Sequence, residues 1–193
     1  MSMIKNDRIE IRNGNLNDYD QIRIVKHNSI KNSYVNFTPK DELITYLEEI
    51  KEWDPAADLA LSGNFLRVAI DKDLNVIVGY TIASYHEAKD VIYVDEIRVD
   101  TGYQSKGCGS MLLDDILRKD LDSNSDENSN PLPKASCIIL TVNSDNTLAY
   151  NFYLRREFVP IKIYNGNRVL MHYRACDLDH FCDRHLVGED CDC

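Results

Sequence analysis

At 193 residues the chain has room for one domain with a full core and is too short for two to be expected. Its 44% apolar and 28% charged content is ordinary for a soluble globular protein. No run reaches the apolar length that spans a bilayer and the first eight residues lack a signal-peptide core, so cytoplasm and nucleus are the expected locations. A formal charge of −10 argues against direct nucleic-acid binding, which relies on Lys and Arg against phosphate. Acidity suits a cationic substrate or partner, and it equally serves solubility alone.

Residues 8–12 alternate in polarity and predict a first strand, ended by the Asn13-Gly14-Asn15 turn. From 16 to 30, Tyr19, Ile22, Ile24, Val25 and Ile30 approximate one helix face. A second helix is predicted from Thr38 as cap and Pro39 as first residue, through Leu43, Tyr46, Leu47 and Ile50 to about Trp53. Residues 64–70 and 76–88 read as strands joined by a turn over 71–75, and a buried strand follows from Val91 to Val99. A glycine-punctuated loop then opens a helix with Leu112, Leu113, Ile116 and Leu117 on one stripe, fading near Leu121. Residues 123–134, nearly without apolar side chains and with two prolines, predict a mobile insertion. A buried strand at 136–143 leads to a helix capped by Ser144 or Asp145 and ending near Arg156. Two last strands, 158–164 and 168–173, flank the hairpin signal Asn165-Gly166.

The loop Gln104-Ser105-Lys106-Gly107-Cys108-Gly109-Ser110 carries the chemistry. Glycines one residue apart let the backbone turn tightly, and the helix that follows points its free amides into the loop. Such amides at the positive end of a helix dipole suit a pyrophosphate. The strand before the loop carries two carboxylates, Asp95 and Glu96.

Gln104-x-x-Gly107-x-Gly109 resembles the acetyl-CoA signature of the GNAT superfamily of N-acetyltransferases, (Arg/Gln)-x-x-Gly-x-(Gly/Ala). Asn146-x-x-Ala149-x-x-x-Tyr153-x-x-x-x-Phe158 is similar to that family's later motif, with Glu157 where Gly is usual. The resemblance covers about Ile9 to Tyr173. It implies the GNAT fold: an α/β (α+β) domain over 1–174, with a mixed, mostly antiparallel sheet flanked by helices, followed by an acidic tail over 175–193.

Acetyl transfer to an amine requires that a thioester be held, the amine deprotonated and the thiolate stabilised. The amides of Gln104, Ser105, Lys106, Gly107, Cys108, Gly109 and Ser110 would hold the pyrophosphate of acetyl-CoA, and the backbone of Ile97, Arg98 and Val99 would pair with the pantetheine as an added strand. Glu96 is the first choice for the base and Asp95 the second; Glu96 paired with Arg98 or another cation is the open alternative. Strict alternation puts Tyr93 and Asp95 on one face and Glu96 and Arg98 on the other, unless a bulge re-aims them. Tyr153 sits where the family often has its general acid, and is equally readable as core. By the same resemblance Asn146 contacts the cofactor.

A finer resemblance, to the NatD-type protein N-terminal acetyltransferases, rests on Thr38 to Trp53, on Ile92-Tyr93-Val94-Asp95-Glu96 and on Leu140-Thr141-Val142. It implies a basic peptide partner, a histone amino-terminal tail of Ser-Gly-Arg-Gly type, held by Trp53, Glu52, Tyr93, Asp95 and Thr141 with Glu48 and Glu49 nearby. Trp53 is equally readable as a helix-end core residue and the glutamates as a solvated face. A small-amine acetyltransferase, for instance of polyamines, and a non-catalytic acetyl-CoA-binding adaptor remain alternatives. A monomer is expected. The tail holds six acids against one Arg, and its Cys176, His180, Cys182, His185, Cys191 and Cys193 match no zinc template, so no metal is expected. Without a secretion signal the cysteines, Cys108 and Cys137 included, are expected as thiols.

Overall fold

The computed structural model describes residues 7–36, 38–56, 64–119, 135–164 and 166–173. Strands β1 (Ile9–Asn13), β2 (Asn64–Asp71), β3 (Val76–His86), β4 (Val91–Val99), β5 (Cys137–Asn143), β6 (Phe158–Tyr164) and β7 (Arg168–Tyr173) form one sheet in the order β1-β2-β3-β4-β5-β7-β6. The β4–β5 pair is parallel and the others are antiparallel. Helices α1 (Tyr19–Ser33), α2 (Lys40–Glu52), α3 (Cys108–Lys119) and α4 (Thr147–Arg155) flank it. The expected element order and the mixed, mostly antiparallel sheet are what the structure has.

The apolar stripes determine which face each helix covers. Ile22 and Val25 of α1 pack on Val68, Tyr80 and Ile82 on one side of the sheet. Leu113 and Ile116 of α3 pack on Ile92, Val94 and Leu140 on the other. The α2 stripe of Leu43 and Ile50 closes on Ile30 of α1. Gly79 of β3 lets α3 approach the sheet: a Cβ there would lie 3.1 Å from both Cys108 Sγ and Leu112 Cδ1.

Local departures from expectation have local causes. The first helix is preceded by a 3-10 turn, Leu16–Asp18, closed by a reciprocal capping box between Asn15 and Asp18. Pro39, not Thr38, is the cap residue of α2; its backbone is extended while its carbonyl accepts the first helical bond, from Leu43 N at 2.9 Å. Strand β3 stops at His86, where a 3-10 turn, Glu87–Lys89, reverses the chain through Asp90 at φ 50°. Ser144 and Asp145 are held by Asn167 of the β6–β7 loop, so the cap of α4 falls to Asn146, whose side chain accepts from Ala149 N at 3.2 Å. Cys137 is disulfide-bonded, which spacing alone did not indicate, while Cys108 is a free buried cysteine. The insertion at 123–134 and the tail at 175–193 lie outside the described residues.

Glu157 ends α4 at φ 66°, the left-handed conformation for which glycine is the usual choice. The turn survives the missing glycine at the cost of backbone strain, of order 1 kcal/mol. Glu157→Gly is therefore expected to stabilise the fold by about 0.5–1 kcal/mol in urea unfolding. An unchanged or lowered midpoint would refute strain at this turn.

Candidate active site

The site forms where β4 leaves β5. Their parallel register runs from Val91↔Cys137 to Val94↔Leu140 and ends there, while β4 stays paired with β3 as far as Gly79↔Val99. Residues 95–99 thus present a strand edge toward the gap that opens beside β5. Beyond the edge, Ser105 at φ 59° and Gly107 at φ 88° curl the loop before α3 begins at Cys108. Alternating backbone handedness ahead of a helix N-terminus turns consecutive amides to one side, an anion-binding concavity. Gln104 does not point into it: its side-chain amide donates to the Val99 carbonyl at 3.2 Å and ties the loop to the strand end. Cys108 is 1% exposed, and burial pushes its thiol up to about 12, so only its backbone is available to a ligand. Lys106 is exposed and lies over the Tyr103 ring at 5.4 Å.

The register of β4 against β3 slips between Ile82↔Glu96 and Ala83↔Val94, leaving Asp95 as the extra residue of a bulge. The bulge reverses the alternation expected from sequence. Tyr93, opposite Ser84, and Glu96, opposite Ile82, now share the face that α1 covers. Asp95 is turned out, exposed, and accepts the Ser84 hydroxyl at 3.1 Å. The same face carries the bond between Tyr93 Oη and Thr141 Oγ1, 2.9 Å, with Arg168 donating to Thr141 at 3.1 Å.

Glu96 sits in a network that sequence alone does not reveal. Tyr80 donates its hydroxyl to Oε2 at 2.6 Å, and the Lys26 ammonium lies 2.9 Å from Oε1, with Arg98 at 3.7 Å. Lys26 also stands over the Trp53 ring, 3.6 Å from its centroid, and Trp53 stacks on Tyr80. Arg98 covers the Tyr34 ring at 5.5 Å, and Tyr34 touches Tyr46. Burial pushes the Glu96 carboxyl up, but the charges of Arg98 and Lys26 and the Tyr80 bond outweigh it and leave it below the ordinary range. Glu96 is an ionised carboxylate at neutral pH. Both halves of the sequence expectation therefore apply: the carboxylate is at the strand end and it is paired with cations.

Tyr153 of α4 packs its ring against Phe152 and Phe158. Burial raises its phenol to about 12, and Arg98 is near enough for its charge to oppose the rise. It remains protonated, a neutral hydrogen-bond donor. Asn146, expected to contact cofactor, spends its side-chain oxygen on the cap of α4. Trp53 lies under Lys26, whereas Glu49 and Glu52 are exposed on α2 and Glu48 is bonded to Lys51 at 2.6 Å. Lys26, Tyr80 and Tyr34 are the residues that sequence reasoning missed. The one available signal was a lysine on the buried stripe between Ile22 and Ile30.

A strand edge, an amide concavity and a carboxylate beside them fit an acyl-CoA. The fit extends to Gly109, where an added Cβ would meet Val99 Cγ2 at 3.6 Å and Phe152 Cζ at 3.9 Å and so fill the space between strand end and α4. Residues 27–128 match the model of the acetyltransferase (GNAT) family. The chain belongs to the GNAT family. As a GNAT acetyltransferase it uses acetyl-CoA as the acyl donor. The PaiA N-acetyltransferase of Thermoplasma acidophilum, in complex with coenzyme A, is 16% identical over 86% of this chain and 98% of its own, with a TM-score of 0.63. A GCN5-related N-acetyltransferase from Rhodopseudomonas palustris is 18% identical over 90% and 98%, with a TM-score of 0.64. A Corynebacterium glutamicum protein described as histone acetyltransferase HPA2 and related acetyltransferase is 17% identical over 90% and 99%, with a TM-score of 0.61. At these identities the likeness is one of fold. No curated protein matches the sequence.

Proposed function

We propose that this GNAT enzyme acetylates the α-amine of a peptide amino terminus by direct transfer, with a Ser-Gly-Arg-Gly tail as the leading acceptor. The observation that carries this reading is the state of Glu96: ionised, half-buried and made less basic by two cations. A weak base serves an acceptor that loses its proton easily. An α-ammonium, with a pKa near ~8, is about one-quarter free amine at mildly alkaline pH, whereas a lysine side chain near ~10.4 is about one-thousandth free. Electrostatics at the base thus favours the amino terminus over the ε-amine.

The remaining residues suit a peptide. Bound acetyl-CoA supplies the thioester carbon that the amine attacks. Glu96 takes the amine proton, directly or through water, and Tyr80 and Lys26 hold the carboxylate in place. Tyr153 hydrogen-bonds the departing sulfur. Its phenol at about 12 lies well above an ordinary thiol near ~8.5, so complete proton transfer to sulfur is uphill. On this reading Trp53, Tyr93 and Thr141 would line the acceptor side, and the exposed Glu48, Glu49 and Glu52 would offer carboxylates to an arginine further along the tail. Nucleus or cytoplasm would be the place of such a reaction.

The test is a competition among Ser-Gly-Arg-Gly peptides, amino-blocked lysine peptides and free polyamines, with the acetyl group located by mass spectrometry. Acetylation on the peptide α-amine is expected to exceed the others by at least about tenfold. Faster modification of polyamine or lysine would overturn the reading in favour of a small-amine or side-chain enzyme, and coenzyme binding with no turnover would favour an adaptor.

A further inference from the structure

Lys26 has no part in the motifs that point to acetyl transfer, yet it makes the closest charged contact to the carboxylate at the centre of the site. It arises from α1, on the stripe that otherwise supplies Ile22, Val25 and Ile30 to the core, and it is 7% exposed. A buried lysine carries a large desolvation cost unless its ammonium is partnered. Here the partners are Glu96 Oε1 at 2.9 Å and the face of Trp53 at 3.6 Å. These two contacts fix the ammonium from two sides, and Tyr80 fixes the other carboxylate oxygen. We infer that Lys26 is a positioning and specificity-determining residue: it pins the Glu96 carboxylate toward the acceptor and restricts the enzyme to amines of low basicity. The inference rests on the proposed role of Glu96.

The groups that face this carboxylate are Lys26 and Tyr34 from the α1 side, Tyr46 from α2, Tyr80 from β3 and Arg98 from β4, with Tyr153 of α4 beyond Arg98. The phenols of Tyr46, Tyr80 and Tyr153 are all raised by burial and stay neutral through the working range. Glu96, Arg98 and Lys26 therefore carry the charge, and burial opposes the ionised carboxylate. Removing the Lys26 charge leaves burial less opposed, so the carboxyl becomes a stronger base that protonates at higher pH. Reactivity is thereby redistributed: a stronger base gains most on the acceptor that is hardest to deprotonate. A merely structural lysine would lower activity on both amines alike and leave the pH profile in place.

The test compares wild type, Lys26→Met and Lys26→Arg on an α-amine peptide and an amino-blocked lysine peptide across the pH range. For Lys26→Met the acidic limb of kcat/KM is expected to move up by about one unit, and the preference for the α-amine to fall by roughly threefold to tenfold. Lys26→Arg, which keeps the charge, is expected to hold both near wild type. An unmoved limb with an unchanged preference overturns the inference. A second measurement does not depend on turnover. Trp53 is the single tryptophan of the chain and Lys26 lies on its ring, so its emission reports the state of this network. In wild type with coenzyme A bound, emission is expected to show an acidic transition that Glu96→Gln abolishes. A flat emission, or a transition that survives in Glu96→Gln, overturns the inference. Should wild type acetylate none of the peptides, the α-amine reading fails, while the emission titration still decides whether Lys26 and Glu96 are linked.

Discussion

Glu96→Gln is expected to lower kcat/KM by about 10²–10⁴-fold, the usual contribution of a positioned base, while coenzyme A binds within about twofold of wild type. The amide keeps the size of the side chain and one acceptor for Tyr80 or Lys26, so the loss isolates proton transfer and charge. The same substitution has a signature in stability. Lys26 is left buried on Trp53 without a full countercharge, a loss of about 1–3 kcal/mol at neutral pH. The folded carboxyl of Glu96 is depressed, so its contribution is complete above the unfolded value near ~4.3 and is lost as pH falls through the folded one. The stability gap between wild type and Glu96→Gln is therefore expected to be constant around neutrality and to close in acid. Urea midpoints at several pH values check this, and a gap that stays undiminished as far into acid as the fold survives would place the stabilisation elsewhere. Activity retained in Glu96→Gln would pass the role of base to Asp95, which the bulge leaves exposed beside it.

The fold was legible because its signals are local and agree. The Val91–Val99 run, the glycine loop and the stripe at Leu112, Leu113, Ile116 and Leu117 each specify one element, and their order fixes the sheet. Strands β6 and β7 have the predicted bounds, with a register shift between Pro160 and Lys162 that the sequence does not mark. The site was legible as far as backbone chemistry determines it. It stopped being so where an extra residue decides the outcome: no glycine or proline marks the bulge at Asp95, yet that slip moves Glu96 to the face of Tyr93. Lys26 was hidden for a different reason. A lysine on a helix ordinarily reaches water along its own stem, and only the carboxylate of a strand 70 positions later reverses that preference. Asn146 also caps α4 through its side-chain oxygen, a role that its position just before the helix specifies beside the cofactor contact that resemblance implies.

The two loop glycines are expected to separate binding from stability, because they are small for different reasons. Gly107 has φ 88°, which an L side chain rarely adopts, so Gly107→Ala is expected to destabilise by about 1–2 kcal/mol through the backbone itself. Gly109 carries no such constraint. Its added Cβ would find ordinary van der Waals contacts at 3.6 and 3.9 Å, and it stands in the first turn of α3, where alanine is the better helix former. Gly109→Ala is therefore expected to leave the fold as stable as wild type or more so, by up to about 1 kcal/mol. The same methyl narrows the space between Val99 and Phe152, beside the strand edge and the amide concavity to which we assign the ligand. Coenzyme A affinity in Gly109→Ala is expected to fall by about tenfold to a hundredfold, a loss of about 1.4–2.7 kcal/mol of binding free energy. Calorimetric titration of coenzyme A beside thermal unfolding measures both quantities on one preparation. Stability rising while affinity falls is the result that assigns this gap to the ligand. Undiminished coenzyme A binding in Gly109→Ala would move the cradle away from the turn between β4 and α3, and with it the placement of the thioester beside Glu96.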